Sequence, residues 1–272
     1  MPPHATQRIG LRVLYPMDTK QLQGFKGIEG FKGIEGIIFD YGNTLVEFTQ
    51  PHLTRCDAAL ADALERHFGH VDRDHLCRIR DKDRVAPYAG NPPQYRENDL
   101  TTITGILVYR LYREQASEDL IEELLTIRHD AFVDVVEAPE YLHDLLARLA
   151  KRYRIALLSN YPCGRAIRNS LNRIGIDHYF DAVVVSADLG YVKPHPSVFD
   201  AVLAELDLAP AECLFVGDNW LGDIQGAKRC GMHAAHTVQF DTPEKFDRRP
   251  GDVDADLTIE HLCDLIQRLA LD

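Results

Sequence analysis

Four short apolar runs, each leading to a polar residue and each followed by a helical pattern, constrain this chain more than any other feature. Ile37 to Phe39 ends at Asp40, and Arg154 to Leu158 ends at Ser159-Asn160. Ala182 to Ser186 leads on to Lys193 in Tyr191-Val-Lys-Pro-His-Pro196, and Glu212 to Val216 ends at Gly217-Asp218. Helical spacing follows over Glu140 to Leu149, Arg165 to Ile174, Pro196 to Glu205 and Ile224 to Cys230, with stops at Gly175 and Gly231. Further strands are expected over Ala234 to Phe240 and Ala255 to Ile259, and a closing helix over Glu260 to Leu269. This alternation predicts an α/β fold: a Rossmann-like, doubly wound parallel sheet with helices on both faces.

Between the first and second runs the pattern changes. Pro51 to Phe68, Val71 to Val85, Leu100 to Tyr112 and Glu118 to Val136 read as helices, and Pro87 to Pro93 as a loop. No stretch between 48 and 137 reads as a parallel strand, so an all-helical insert is expected there. The expected organisation is an N-terminal extension over 1–35, a catalytic core of 36–47 and 138–272, and the helical insert of 48–137. Within the extension, Gly24-Phe-Lys-Gly-Ile-Glu29 is repeated at once as Gly30 to Glu35, and Leu11 to Tyr15 reads as a further edge strand. Two hexapeptides are too few and too short for a solenoid.

Charge and composition exclude several classes. The formal net charge of −12 repels a phosphate backbone, so no nucleic-acid partner is expected. No apolar run approaches a membrane span, and the polar stretch Met1 to Gly10 has no secretory apolar core. The six cysteines are scattered without a C-x-x-C pair, which fits free thiols in a reducing cytoplasm.

The C-terminal ends of parallel strands lie side by side. One site should therefore gather Asp40 with Thr44 four residues on, Ser159, Lys193, Asp218 and Asp223. Carboxylates clustered without Cys or His suit a hard cation, above all Mg2+. A hydroxyl and an ammonium beside them suit a phosphate. Each residue alone has a plainer reading: Ser159 as a turn cap, Lys193 as a surface residue, Asp218 as a helix cap. Order and spacing together favour a site.

These stretches resemble the haloacid-dehalogenase-like hydrolase superfamily. Its four motifs are matched by Phe39-Asp-Tyr-Gly-Asn-Thr-Leu45, Leu157-Leu-Ser-Asn160, Gly190-Tyr-Val-Lys-Pro-His-Pro196 and Val216-Gly-Asp-Asn-Trp-Leu-Gly-Asp223. The resemblance implies that Asp40 is a nucleophile forming an aspartyl-phosphate, with Thr44, Ser159 and Lys193 also catalytic. It implies phosphate binding by Ser159, Asn160 and Lys193. It implies Mg2+ bound by Asp40, the Gly42 carbonyl and Asp218, with Asp223 supporting. The insert corresponds to the mobile cap that closes over such sites. The implied activity is Mg2+-dependent hydrolysis of a small phosphorylated metabolite.

One position departs from the pattern. Family phosphatases carry a second Asp two residues after the nucleophile, as the general acid and base; here it is Gly42. Four readings follow. The first is a phosphatase with a good leaving group, or with a cap residue or water as acid. The second is a phosphonate hydrolase with a cap lysine, for which Lys82 is the candidate, although acids flank it and Lys193 stands where that branch carries arginine. The third is a dehalogenase, against which the fourth motif argues. The fourth is a catalytically weak binding or regulatory relative, against which the intact Asp40, Ser159, Lys193, Asp218 and Asp223 set argues. His52, His67, His70 and His195 are candidate substitute acids. The loop Tyr88 to Tyr95 is a candidate substrate-reading lid, Trp220 a candidate for the pocket entrance or a contact to the cap, and Cys163 an inert thiol.

Overall fold

The structure is a computed structural model that describes residues 31, 33–89, 94–240 and 248–271. The Leu11 to Tyr15 run and most of the repeated hexapeptide lie outside those residues.

Six strands form one parallel sheet: β1 (Gly36–Phe39), β2 (Arg154–Ser159), β3 (Ala182–Val185), β4 (Cys213–Gly217), β5 (His233–Thr237) and β6 (Leu257–Ile259). Their spatial order is β3-β2-β1-β4-β5-β6, so the winding reverses between β1 and β4. A crevice opens at the carboxyl ends of the strands at such a reversal. Phe39 stands level with Leu157 on β2 and Val216 on β4. Asp40 therefore leaves the sheet one residue short of Ser159 and Asp218 on its two neighbours.

Both sheet faces are covered, which is why β1 is apolar at every position rather than alternating. Ile37 and Phe39 pack against α5 (Leu142–Leu149) and α6 (Gly164–Arg173), through Leu142, Leu146, Ile167 and Leu171. Ile38 packs on the other face against α8 (Pro196–Leu206), through Val198, Phe199 and Val202. Each fully buried side chain of this size contributes about 1.5–3 kcal/mol, which anchors the strand that carries Asp40.

Four helices stand between β1 and α5: α1 (Gln50–Phe68), α2 (Arg73–Val85), α3 (Leu100–Tyr112) and α4 (Glu118–Val135). Asp72, Asp99 and Ser117 start the last three by accepting from backbone N–H groups of the first turn. Thr49 and His52 form the capping box of α1, and Pro51 lies in its first turn. The four helices bury an apolar cluster of their own, including Leu60, Leu64, Leu76, Ile79, Leu107 and Leu124. The loop before α3 is bonded to the loop after β3. Val192 N donates to Tyr95 O at 2.8 Å, and Glu97 N donates to Gly190 O at 3.0 Å.

Several boundaries differ from the sequence expectation. Ser186 opens a one-turn helix, α7 (Ser186–Leu189), instead of closing β3, and Gly190 ends it in the left-handed region at φ 76°. The helix expected from Ile224 begins earlier, as a π turn over Trp220–Gln225 followed by α9 (Gly226–Arg229). The cause is Asn219, whose Oδ1 accepts from Gly222 N at 2.8 Å and so caps the chain four residues sooner. β5 is shorter than expected, and the closing helix narrows to α10 (Asp264–Arg268). No helix among the described residues is long and apolar enough to cross a membrane. All six cysteines are free thiols.

Candidate active site

The turn after β1 is built around two residues. Asn43 adopts φ 60°, a conformation that asparagine tolerates better than most residues. Its Oδ1 accepts from Phe48 N at 2.9 Å and its Nδ2 donates to Phe48 O at 3.2 Å, closing the turn over 43–48. Thr44 is fully buried beneath the turn, and its Oγ1 donates to Asp218 Oδ1 at 3.2 Å. Thr44 does not line the cavity described below; its contact is with Asp218. Gly42 is outside the left-handed region, and a Cβ there would meet only Phe48 Cβ at an ordinary 3.5 Å. Neither conformation nor space requires glycine at this position.

Lys193 is the hub. It is 1% exposed, and its Nζ lies 2.6 Å from Asp40 Oδ1, 2.7 Å from Leu158 O and 2.8 Å from Asp223 Oδ1. The first two contacts are hydrogen bonds; the third is an ion pair without hydrogen-bond alignment. Burial pulls the lysine pKa down, but Asp223 and Asp40 outweigh it and hold the group above the ordinary lysine value. Asn160 fixes the backbone that carries it: its Oδ1 accepts from Lys193 N at 2.8 Å and its Nδ2 donates to Lys193 O at 3.2 Å. Asn160 Nδ2 also donates to the Tyr88 hydroxyl at 2.8 Å. The Asn160 amide is thus committed to holding Lys193 and the insert loop. Ser159, 4% exposed, faces the cavity from the end of β2.

Carboxylate oxygens of Asp40, Asp218 and Asp223 lie within 4.8 Å of one another. Asp223 fits beneath Gly217 only because that residue has no side chain; a Cβ there would overlap the Asp223 carboxylate. Asn219 N donates to Asp223 Oδ2 at 2.9 Å. Burial, then the nearness of Asp40 and Asp223, raises the Asp218 carboxyl well above the usual range. Burial also pushes Asp223 up, against the opposing pull of Lys193. Three carboxylates facing one ammonium leave negative charge uncompensated, and the donors are all hard oxygens. That donor set fits a divalent cation.

These residues form the floor of a cavity of about 280 Å3 whose walls come largely from the insert, with Cys163 and Ile167 added from the core. Leu53, Cys56, Asp57 and Leu60 present one face of α1, spaced i, i+3, i+4 and i+7. Arg80, Asp83 and Arg84 come from α2, Leu100 and Ile103 from α3, and Arg128, His129 and Phe132 from α4. None of these was singled out from sequence. The available signal was charged residues, Asp57 and Arg128, set among apolar positions of helices.

The other candidates resolve clearly. Lys82 is exposed and absent from the cavity lining, so it is not placed for an imine. His52 serves the α1 cap, His67 pairs with Glu123 at 2.8 Å, and His195 caps α8 and stacks on Tyr191. His52, His67, His70 and His195 are all absent from the cavity lining. Trp220 does not line the cavity either; its Nε1 donates to Asp252 at 2.9 Å and Arg248 covers its ring. Cys163 lines the cavity wall. Of the loop Tyr88 to Tyr95, residues 90–93 lie outside the described residues; Tyr88 reaches the cavity.

Residues 34–231 match the haloacid dehalogenase-like hydrolase family. The chain belongs to that family and is a hydrolase of its fold. Among curated proteins it is similar to the pyrophosphatase PpaX of Bacillus cereus (strain Q1), at 30% identity over 149 residues, 53% of this chain and 68% of that protein. Among solved structures it resembles a 2-haloacid dehalogenase from Pseudomonas syringae pv. Tomato DC3000, with TM-score 0.65, 24% identity, and 87% and 98% of the two chains covered. It also resembles a HAD phosphatase from Thermococcus onnurineus, with TM-score 0.63, 22% identity, and 88% and 99% covered. At these identities the two structures speak for the fold alone.

Proposed function

We propose that this protein is a Mg2+-dependent phosphohydrolase acting on a small phosphorylated metabolite through an aspartyl-phosphate on Asp40. The observation that carries the reading is the buried excess of carboxylate around Lys193, which suits a divalent cation and a phosphoryl group together. The similarity to a pyrophosphatase supports the same direction.

Lys193 holds Asp40 in place through a 2.6 Å hydrogen bond, as a positioned nucleophile requires. The Asp40 carboxylate attacks phosphorus, the bond to the leaving oxygen breaks, and the aspartyl-phosphate forms. Water then attacks that phosphorus, releasing phosphate and restoring the carboxylate. The Ser159 hydroxyl donates to a phosphoryl oxygen, and Lys193 offsets its charge. Asp40, Asp218 and the Gly42 carbonyl would hold Mg2+, with Asp223 supporting; when bound, the ion neutralises phosphoryl charge. Thr44 and Asn160 act through their neighbours, by fixing Asp218 and Lys193. The domain reading follows: 36–47 and 138–272 form the catalytic core, and 48–137 a cap that walls the site, excludes water and selects the substrate. The free thiols fit a cytoplasmic setting.

The test is phosphate release from an aryl phosphate, with and without Mg2+, beside Asp40→Asn. Metal-dependent release lost in the variant is the expected result. Release retained by folded Asp40→Asn removes the nucleophile.

A further inference from the structure

We propose that Arg128 is a specificity-determining residue that binds a second anionic group, a carboxylate or phosphate, at the end of the substrate remote from the scissile phosphoryl. The proposal rests on the phosphohydrolase reading above and names the class of substrate that site would take.

Three arginines line the cavity walls, and they are not equivalent. Arg80 lies 3.2 Å from Asp57 and 2.9 Å from Asp81, ion pairs without hydrogen-bond alignment that nonetheless balance its charge. Arg84 is also engaged. Arg128 has neither an ion pair nor a hydrogen bond among the described residues, and its Nε is sealed from solvent without an acceptor. The nearby acids are already committed: Asp57 to Arg80, and Asp83 to Arg110 at 3.3 Å. They act on Arg128 only from a distance, while burial works against its charge.

A guanidinium held partly out of water without a bonded partner is costly. Ordinary packing gives no reason to keep one on a cavity wall, since Leu or Met would fill the same space. A ligand that brings its own anion removes the cost on binding. The planar fork of arginine suits the two oxygens of a carboxylate or phosphate. Phe132, one turn further along α4, packs against Tyr161 with the rings tilted at 32° and 4.2 Å between centroids, and lines the same cavity. The site therefore offers a cationic and hydroxyl floor at Lys193 and Ser159, an aromatic wall, and a second cation. The complementary ligand is a phosphoester with an apolar spacer and a terminal acid.

The test uses three aryl phosphates whose phenols have closely similar acidity. They are phenyl phosphate, 4-(carboxymethyl)phenyl phosphate and 4-(phosphonomethyl)phenyl phosphate, assayed with Mg2+ on the full chain. A charge-assisted hydrogen-bonded pair predicts a preference for one or both acidic substrates of about 10- to 100-fold in kcat/KM, carried mainly by KM. The two acidic arms distinguish carboxylate from phosphate as the terminal group. Arg128→Gln should collapse that preference toward one, and Arg128→Lys, which keeps the charge without the fork, should retain part of it. Turnover of phenyl phosphate with no preference for either acid overturns the proposal and leaves the hydrolase reading standing. So does an equal fall for acidic and neutral substrates in both folded variants. No turnover of any of the three overturns the phosphohydrolase reading, and this proposal with it.

Discussion

Replacing Gly42 with aspartate should convert a hydrolase that depends on its leaving group into one that does not. The backbone accepts the change: φ is ordinary, and the new Cβ would touch only Phe48 at 3.5 Å. The new carboxyl would enter a site where Asp40, Asp218 and Asp223 already face Lys193. Two like charges about 5 Å apart at an effective dielectric of 20 repel by about 3 kcal/mol, close to two pK units, before Lys193 and a cation cancel part. The group would therefore hold its proton toward neutral pH, as a general acid must. Proton transfer of this kind contributes roughly 10²–10⁴ in rate, or about 2.7–5.5 kcal/mol of barrier. The assay is kcat for an alkyl phosphate and an aryl phosphate in wild type and Gly42→Asp, with Mg2+. The alkyl ester should gain by about two orders of magnitude or more, and the aryl ester by far less. A folded variant with intact aryl turnover and no alkyl gain would refute the reasoning, because it would mean the proton is already supplied elsewhere.

Other expectations are smaller in scope. Lys193→Met should abolish turnover and destabilise the fold by about 3–5 kcal/mol in denaturant titrations, since it strands Asp40 and Asp223 in a buried site; a stability change under 1 kcal/mol would contradict the hub. Burial raises the Asp218 and Asp223 carboxyls above their unfolded values. The folded state therefore binds those protons more tightly, and stability falls as pH rises from the ordinary aspartate range through the raised values. Metal-free melts should show a higher Tm at pH 5 than at pH 7.5, and Mg2+ should restore more at the higher pH; the reverse order would sink that reading. Asn43→Ala should cost about 1–3 kcal/mol, combining two lost hydrogen bonds with a left-handed residue, as chemical denaturation would show. Arg128→Met should raise the ligand-free Tm, because it removes a guanidinium whose Nε has no acceptor; a lower Tm would indicate a partner beyond the described residues.

The sheet and its carboxyl edge were legible because strands covered on both faces must be apolar throughout, and Ile37 to Phe39 is. Parallel pairing brings Asp40, Ser159 and Asp218 to one edge of the sheet, but the one-residue stagger between Asp40 and the other two is a matter of register that pairing alone leaves open. The contacts of Asn160 with Lys193 and of Thr44 with Asp218 were not legible, since a polar residue next to a motif reads alike whatever its side chain meets. The early helical start at Trp220 depends on one side-chain cap by Asn219, which competes with the apolar period. Arg128 lies about ninety residues from Asp40 in sequence, and the packing of α4 against α1 and α6 brings it to the same cavity; no local pattern encodes that kind of meeting.

The strap between the loop before α3 and the loop after β3 has a consequence for divergence. Tyr95 and Glu97 bond the backbone at Val192 and Gly190, Tyr88 bonds Asn160, and Asn160 grips Lys193 on both sides. The segment best placed to retune what enters the cavity is thus tethered to the lysine that holds Asp40. Substitutions there should move selectivity and turnover in step, so new substrates are more readily acquired through the faces of α1 and α4, which make no hydrogen bond to Lys193 or Asn160 among the described residues.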